Sequence, residues 1–294
     1  MKSIQFQNQA SVIIENKQLQ LTISRSIGPR ILGLNFHGKP NLLAELPDFT
    51  TELPDGNSYH FYGGHRLWVA PENIPLTYEL DDQPVEIIPD KDTILILKEI
   101  ELQSGVEKSI RVKLDPDKPV VTLEHVLKNC GNEPLIGAPW AITQFKTGGI
   151  AILPQSKKDT GLLPNRSLVL WPYSDMTTPK VHWGNDYILL DASVEAPFKF
   201  GFPNPRGWLA YWLDGNLFVK RAMYDPTVLY YDQDSSTECY CNARFIELET
   251  LGPITTIACG ESVSHIETWE LYADIERPRD EADVAKMVAR LGIE

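Results

Sequence analysis

The segment YHFYGGHRLWVAPE, residues 59 to 72, concentrates side chains that can recognise a neutral, polyhydroxylated ligand. The guanidinium of Arg66 presents a fork of hydrogen-bond donors, and the imidazole of His65 can donate or accept a hydrogen bond. Tyr62 and Trp68 can stack on the apolar face of a sugar ring. These residue types predict one wall of a carbohydrate site.

The glycine pair within this segment, Gly63 and Gly64, indicates a sharp turn or a close approach of the backbone. An alternative interpretation treats the segment as a packed loop, in which His65 and Arg66 satisfy buried carbonyl groups. The sequence leaves both interpretations open.

A second candidate site is the pair of carboxylates in RFIELET, Glu247 and Glu249. Because side chains alternate along a strand, both carboxylates share one face, with Phe245 beside them. If that face is buried or lines a pocket, one carboxyl could have a raised pKa suited to acid or base catalysis. If the face is wet, the two are ordinary solvent-exposed side chains.

Composition narrows the class of ligand. The 294 residues include 40 Asp and Glu against 27 Lys and Arg, which gives a formal charge of -13. Such a balance disfavours attraction to nucleic acid or anionic lipid, so we expect neither a nucleic-acid nor a membrane partner. A small neutral carbohydrate fits better.

Cysteine usage and hydropathy give an expectation for the compartment. Four cysteines are too sparse for a disulfide framework. The sequence shows no signal-peptide pattern at its start and no apolar stretch of the roughly 18 residues that a membrane span requires. We therefore expect a cytoplasmic protein.

Period-two alternation recurs along the chain and predicts antiparallel strands. The clearest runs are LQLTI at 19 to 23, TILILKEIEL at 93 to 102, VEKSIRVKL at 106 to 114 and VVTLEHVL at 120 to 127. Turn-forming sequences separate them, and no alternating βαβ rhythm is present. This pattern is typical of an all-β protein with large sheets.

One helix is predicted, over residues 280 to 291, with Asp280 as its N-cap. Val284, Met287, Val288 and Leu291 recur there at helical spacing. We expect this helix to cover the sandwich at the end of the chain. No linker, composition shift or repeat marks a boundary, so residues 1 to 294 are interpreted as a single domain.

Several common catalytic motifs are absent from the sequence, among them a glycine-rich phosphate loop, a GxSxG nucleophile elbow and paired CxxC motifs. CYC at 239 to 241 places two thiols on one strand face, but no second pair lies nearby in sequence. We therefore predict neither a metal site nor a cofactor.

FIELETLGPITTIACGESVSHIETWEL resembles the late segment of galactose mutarotase-like (aldose 1-epimerase-like) proteins. In that family a strand with the catalytic Glu precedes an L-x-P-G-E turn and a final strand; here the turn reads IACGES, with Cys259 at the usual proline. Three further stretches are similar to the family's opening, its early sugar-contacting loop and its pocket strand: ASVIIENKQLQLTISRSIGPRILGLNFHGKPNLL, YGGHRLW and KNCGNEPLIGAPWAITQF. The resemblance spans most of the chain and indicates a branch apart from the galactose enzymes themselves.

The resemblance implies a large antiparallel β-sandwich, the supersandwich of galactose mutarotase type, and an aldose mutarotase or sugar epimerase. In active members a Glu removes the proton of the anomeric hydroxyl while a His protonates the ring oxygen. The ring then opens, rotates about the bond to C1 and closes again. By motif position the base is Glu247 or Glu249, and the LET at 248 to 250 favours Glu249.

The chain departs from the family pattern on the pocket strand. Where H-x-Y-F is usual, this sequence reads PWAITQF, without a histidine. His65 is then the candidate acid, if its loop folds over the same pocket. The predicted substrate-binding residues are Arg66, Tyr62, Trp68, Trp140, Gln144 and Lys199.

The missing histidine supports an alternative from a different class, a noncatalytic sugar-binding or sensing module on the same scaffold. A third interpretation is a lyase-like relative that acts on polysaccharide. Such relatives usually have an additional helical domain, for which this sequence shows no pattern.

Overall fold

The computed structural model describes residues 1–54, 56–74 and 76–293, and nearly all of their regular structure is β-strand. The strands up to residue 129 are β1 (Lys2–Phe6), β2 (Gln9–Glu15), β3 (Leu19–Ser24), β4 (Arg30–Phe36), β5 (Glu45–Glu52), β6 (Ser58–Gly63), β7 (His65–Ala70), β8 (Glu86–Asp90), β9 (Thr93–Leu97), β10 (Val106–Leu114) and β11 (Val120–Asn129). Those that follow are β12 (Leu135–Phe145), β13 (Ile150–Pro154), β14 (Val169–Leu170), β15 (Val181–Trp183), β16 (Tyr187–Asp191), β17 (Phe198–Phe202), β18 (Trp208–Leu213), β19 (Asn216–Ala222), β20 (Thr237–Cys241), β21 (Ile246–Leu251), β22 (Thr255–Ile257) and β23 (Ser262–Tyr272). The helical segments are the single turn α1 (Tyr231–Asp234) and the helix α2 (Glu281–Leu291).

Two large antiparallel sheets account for most of these strands. In the described residues, the first sheet has the order β1-β2-β3-β4-β7-β12-β21-β20-β17-β14, with β22 paired to one end of β12. The second has the order β15-β16-β13-β18-β19-β23-β11-β10-β9-β8. The expected all-β antiparallel sandwich is confirmed.

Burial follows the alternation that predicted the strands. Along β11, residues alternate between intermediate and fully buried, and β10 shows the same alternation over most of its length. The predicted strand VEKSIRVKL coincides with β10, so the period-two pattern predicted both ends of this strand correctly.

The prediction of one strand over residues 93 to 102 is wrong in its second half, because β9 ends at Leu97. The backbone N–H of Lys98 still donates to the carbonyl of Lys108 at 3.1 Å, and its side chain points inward like that of Ile96. The Lys98 Nζ donates to Glu101 Oε1 at 2.8 Å and to the carbonyl of Leu80 at 2.8 Å, and both charged side chains are buried. Residues 99 to 102 then leave the sheet for the turn that precedes β10, although they alternate like a strand.

The core lies between the two sheets. Leu248 and Cys239 of the first sheet and Phe218 and Trp269 of the second belong to one buried apolar cluster. Each large side chain that leaves water there stabilises the fold by about 1.5–3 kcal/mol. The inner faces of both sheets are therefore committed to packing, and a ligand site must lie elsewhere.

Helix α2 covers the outer face of the second sheet. Asp280 is its N-cap, as predicted, and accepts a hydrogen bond from the backbone N–H of Asp283. Val284, Met287 and Val288 pack onto apolar residues of that sheet. No helix among the described residues is long and apolar enough to cross a membrane.

The strands β5 and β6 form a separate two-stranded sheet, called the hairpin below, that joins β7 through Gly63 and Gly64. These glycines have φ of 85° and 74°, in the left-handed region. A Cβ at Gly63 would lie 2.0 Å from the carbonyl oxygen of Ala44. The glycine pair is thus required both by conformation and by close backbone packing, as its sequence predicted.

Candidate functional site

The outer face of the first sheet forms the floor of a cavity of about 440 Å³, and the hairpin contributes to its wall. Five of the predicted site residues line this cavity: Arg66, Trp68, Trp140, Lys199 and Glu247. They come from four strands, because residues that alternate on β7, β12, β21 and β17 project from the same face. The volume is in the range of small-molecule sites.

Glu247 occupies the centre of the polar floor. Its Oε1 accepts hydrogen bonds from Arg66 Nη2 at 3.1 Å and from Gln144 Nε2 at 2.9 Å. Gln144 is opposite Glu247 on the adjacent strand β12, and Arg66 reaches across from β7. The side chain of Gln144 is fully buried beneath the floor, and its hydrogen bond holds the Glu247 carboxylate in place.

The environment of Glu247 tunes its acidity. Burial raises the pKa of its carboxyl to about 7, although the nearby Arg66 guanidinium opposes this shift. The neighbouring Glu249 contributes in the same direction as burial. A carboxyl on a cavity floor, with a pKa raised toward neutral pH, is suited to general base catalysis.

Glu249 shares the face of Glu247, as strand alternation predicted, but it is fully buried and already engaged. Its Oε2 accepts hydrogen bonds from Trp140 Nε1 at 2.8 Å and from Lys199 Nζ at 3.1 Å. It fixes two of the side chains that line the cavity. The placement therefore favours Glu247 over Glu249 as the group that meets a ligand.

Lys199 is a buried cation between two carboxylates and two indoles. Its Nζ lies 2.7 Å from Glu238 Oε2 and within 5 Å of the ring centroids of Trp140 and Trp171. Burial alone would lower the pKa of Lys199, but Glu238 and Glu249 outweigh it and hold that pKa well above its ordinary value. Lys199 remains an ammonium that can donate a hydrogen bond into the cavity.

Glu238 is the second carboxylate beside Lys199. Burial raises its pKa well above the usual range, although Lys199 opposes this shift. Glu238 and Glu249 are register partners on β20 and β21, and Glu249 adds to the rise. A raised pKa limits the repulsion between these two adjacent buried groups.

Aromatic rings form the walls of the cavity. Trp68 and Trp140 lie next to each other, with ring centroids 5.4 Å apart, and the Arg66 guanidinium stacks on Trp68 at 4.1 Å. Tyr78, Tyr173 and Tyr240 add rings that have hydroxyl groups. Flat apolar faces next to fixed polar groups are the combination that binds a sugar ring.

His65 does not line the cavity. It is fully buried on the inner face of β7, where Nδ1 lies 2.9 Å from Thr143 Oγ1 and Nε2 lies 2.7 Å from His125 Nε2. Burial, together with the neighbouring His125, holds the pKa of His65 well below its usual value. The neutral ring is part of the core between the sheets, a placement that does not support its predicted role as the acid.

Tyr62 also lies away from the cavity. It adopts a φ of 55° just before the glycine pair, and its ring stacks on His60 with centroids 5.4 Å apart. The guanidinium of Arg30 lies 5.6 Å from the ring centroid. A turn at Tyr62 directs the side chain away from the face that Arg66 and Trp68 share.

Potential metal ligands meet once among the described residues, in the core. Ligand atoms of His65, His125 and Glu267 lie within 4.8 Å of one another. Lys220 Nζ pairs with Glu267 Oε1 at 2.8 Å, and Trp269 Nε1 donates to Glu267 Oε2 at 3.0 Å. The ammonium neutralises the carboxylate, so hydrogen bonding within the protein accounts for the cluster.

Sequence reasoning missed the residues that the hairpin and loops bring to the cavity. Phe49 and Phe61 come from the hairpin, and Tyr173 comes from the long segment between β14 and β15. The place of Tyr240 in the cavity could have been predicted from the sequence. Tyr240 is two residues after Glu238 on β20 and so shares its face, and it lies opposite Glu247. For Phe49 and Tyr173 no local pattern distinguishes a ligand contact from a partly buried surface ring.

A larger cavity, of about 520 Å³, lies beside α2 but has a different character. Two of its four described basic residues are paired: Arg279 donates to Asp283 Oδ2 at 2.7 Å, and Arg277 lies 3.7 Å from Asp191. It has no buried carboxyl comparable to Glu247 among its described residues. The cavity on the first sheet is therefore the candidate site.

Solved structures share this architecture at low sequence identity. A candidate aldose 1-epimerase from Klebsiella pneumoniae superposes with a TM-score of 0.59 at 13% identity, over 97% of this chain and 83% of that chain. A galactose mutarotase-like protein from Lactobacillus casei superposes with a TM-score of 0.54 at 9% identity, over 89% of this chain and all of the other. The chain has a galactose mutarotase-like fold.

A TPR-domain containing protein from Parabacteroides distasonis has a TM-score of 0.63 at 14% identity, over 92% of this chain. The chain spans about half (48%) of that longer protein. No protein-family model and no curated protein matches the sequence. At these identities the likeness establishes the fold and not the activity.

Proposed function

We propose that the protein binds a carbohydrate in the cavity on the first sheet and interconverts its anomers or epimers, with Glu247 as the general base. The observation on which this rests is the placement of Glu247: a partly ionised carboxyl, with a pKa near 7, on the floor of an aromatic-walled cavity. Structures with the same fold include a galactose mutarotase-like protein, which supports the choice of ligand class.

In this proposal the Glu247 carboxylate takes the proton of the anomeric hydroxyl, and the bond between C1 and the ring oxygen breaks. The ring oxygen takes up a proton, which gives the open-chain aldehyde. Rotation about the C1–C2 bond followed by the reverse steps yields the other anomer. Arg66 and Gln144 hold the carboxylate, while Trp68 and Trp140 position the ring by stacking.

The reaction also needs a proton donor to the ring oxygen, and the described residues of the cavity are poorly suited to that role. None of the described residues that line the cavity is a histidine. Lys199 and the phenols of Tyr173 and Tyr240 are available, but the pKa of each is raised, chiefly by carboxylates for Lys199 and by burial for the tyrosines. A donor with a pKa far above neutral gives up its proton slowly.

The high pKa values of these possible donors favour a second candidate function, a noncatalytic carbohydrate-binding or sensing protein that uses the same cavity. Both candidates predict saturable binding of a sugar, and they differ in turnover. A cytoplasmic location and a single domain over residues 1 to 294 remain predictions from the sequence.

Magnetisation-exchange NMR distinguishes the two candidates. Exchange between anomers is measured for a panel of aldoses and sugar phosphates with wild type and with Glu247→Gln, and binding is measured in parallel by saturation-transfer NMR. Accelerated exchange that is lost in Glu247→Gln supports the epimerase. Saturable binding without acceleration supports the binding protein, and the absence of binding to every sugar contradicts both.

A further inference from the structure

Three phenylalanine rings meet at one end of the cavity and line it. The ring centroids of Phe49 and Phe61 lie 5.0 Å apart, and those of Phe49 and Phe245 lie 5.7 Å apart. The third pair, Phe61 and Phe245, is separated by 6.2 Å. We call these three residues the Phe patch.

The Phe patch lies directly beside the polar floor. The Arg66 guanidinium is 5.4 Å from the centroid of the Phe61 ring, and Arg66 donates to Glu247. Phe245 precedes Glu247 by two residues, just before β21 begins. An apolar surface thus borders the carboxyl that we propose as the base.

The patch helps to pack the hairpin against the first sheet, since Phe49 and Phe61 come from the hairpin and Phe245 precedes β21. Packing alone, however, would permit the three rings to be covered. Phe49 and Phe61 are partly exposed, and all three rings line the cavity. A ligand in the cavity therefore meets their surface.

A ligand hydroxyl against the ring faces would lose water without gaining a hydrogen bond from the rings, because phenyl rings offer no conventional donor or acceptor. The Arg244 guanidinium, 5.1 Å from the Phe49 ring centroid, lies at the edge of the patch. An apolar group against the ring faces would lose unfavourable contact with water instead. The Phe patch therefore selects for a ligand that is apolar close to its reacting carbon.

Two ring carbons flank the anomeric centre: C2, and C5 on the other side of the ring oxygen. We assign C5 to the Phe patch, because its substituent can be a methyl group, whereas C2 usually bears a hydroxyl group. In a hexose C5 bears a hydroxymethyl group, and in a 6-deoxyhexose it bears a methyl group. Resting on the proposed function, we propose that this site takes sugars with an apolar substituent at C5, such as 6-deoxyhexoses, with the Phe patch as the specificity determinant.

Matched sugar pairs test the proposal on the unmodified protein. Dissociation constants are measured by NMR titration for D-fucose against D-galactose, D-quinovose against D-glucose, and L-rhamnose against L-mannose. In the pair that binds best, we expect the 6-deoxy member to bind roughly tenfold more tightly, the scale at which an apolar pocket discriminates such analogues. Equal or tighter binding of the hexose in every pair that binds would overturn the proposal and leave the proposed function intact. If none of the six sugars binds while another aldose or sugar phosphate does, the proposal fails and the proposed function stands; if no sugar binds at all, the proposed function itself fails.

Two single-hydroxyl variants show whether the patch is responsible. Phe61→Tyr adds a hydroxyl to the patch, and we expect the preference for the 6-deoxy member to fall severalfold. Tyr62→Phe removes a hydroxyl from a ring that lies away from the cavity and should leave the ratio within each pair unchanged. A ratio in Phe61→Tyr equal to that of wild type would show that the Phe patch does not set the preference.

Discussion

His65 and Arg66 are adjacent in sequence, yet their side chains lie on opposite faces of the first sheet. Arg66 reaches Glu247 on the cavity floor, whereas His65 contacts His125 of the second sheet in the core. One residue therefore belongs to the candidate site and the other to the internal packing.

Turnover should depend on the ionisation of Glu247. Since burial raises the pKa of its carboxyl to about 7, and only the carboxylate can accept a proton, the catalysed exchange rate should increase as pH rises through about 7. Exchange NMR between pH 5.5 and 8.5, with uncatalysed exchange subtracted, measures the profile. A rate that falls as pH rises would contradict Glu247 as the base.

Arg66→Gln should raise the pKa of Glu247 further, because Arg66 is the largest of the influences that lower it. The rising limb of the pH profile should move to higher pH in this variant. Carboxyl ¹³C NMR follows the titration of Glu247 directly and does not depend on activity. An unchanged Glu247 titration would show that the pair, 3.1 Å apart here, is not coupled in solution.

Lys199→Met should destabilise the protein strongly, because it leaves Glu238 and Glu249 buried without their cation. We expect a loss of about 3 kcal/mol in the free energy of unfolding. The control is Lys17→Met, which removes an exposed ion pair with Asp117 and should change stability by less than about 1 kcal/mol. Urea denaturation of both variants makes the comparison, and equal losses would contradict the role of Lys199.

Stability should fall in mild acid because of the buried histidines. Burial lowers the pKa of His265 to about 4, so the unfolded chain takes up this proton first as pH falls below about 6.5. Between pH 7 and pH 5 this one group should remove about 2 kcal/mol from the free energy of unfolding. Below about pH 4 its contribution is fully lost.

Urea titrations at several pH values test this expectation. His265→Gln should reduce the loss of stability between pH 7 and pH 5 by about 2 kcal/mol. The buried His65 and His125, whose pKa values are also lowered by burial, keep the remaining dependence. His37→Gln, which replaces an exposed histidine, should retain the wild-type dependence. Identical pH dependence in wild type and His265→Gln would contradict the assignment.

Gly63→Ala should cost much more stability than Gly38→Ala. Both glycines have positive φ, 85° and 71°, but a Cβ at Gly38 meets no atom within 4 Å, whereas one at Gly63 would overlap the carbonyl of Ala44. We expect about 1 kcal/mol for Gly38→Ala from conformation alone, and about 3 kcal/mol or more for Gly63→Ala. Similar thermal shifts in the two variants would show that the backbone contact is unimportant.

The fold was predictable because each strand encodes its own alternation. The face shared by Glu247 and Glu249, the extent of β10 and the cap of α2 all depend on residues close in sequence. The end of β9 was not predictable, because residues 99 to 102 alternate like a strand but lead into the turn before β10, and Lys98 makes its side-chain contacts with Glu101 and with a carbonyl 18 residues earlier.

The site was only partly predictable, for the same reason. Arg66 and Trp68 share a face of β7 by local alternation, and His65 is on the other face by the same rule. Which face bears the cavity depends on how the two sheets pack, and the sequence of β7 alone does not encode this. Phe49 reaches the cavity through the folding of the hairpin, which is a long-range feature.

The hairpin lines the cavity but is structurally separate from the two large sheets. Its two strands pair with each other and not with either large sheet in the described residues, yet they supply Phe49, Thr50, Thr51 and Phe61 to the cavity. Glu247 and Lys199 belong instead to β21 and β17, each of which is paired with a neighbour on both sides within the first sheet. The architecture is therefore modular. Substitutions in the hairpin can change the wall of the cavity while the Glu247 carboxyl and the Lys199 ammonium stay in place. The hairpin is thus the natural segment to exchange when new specificities are sought by recombination or selection.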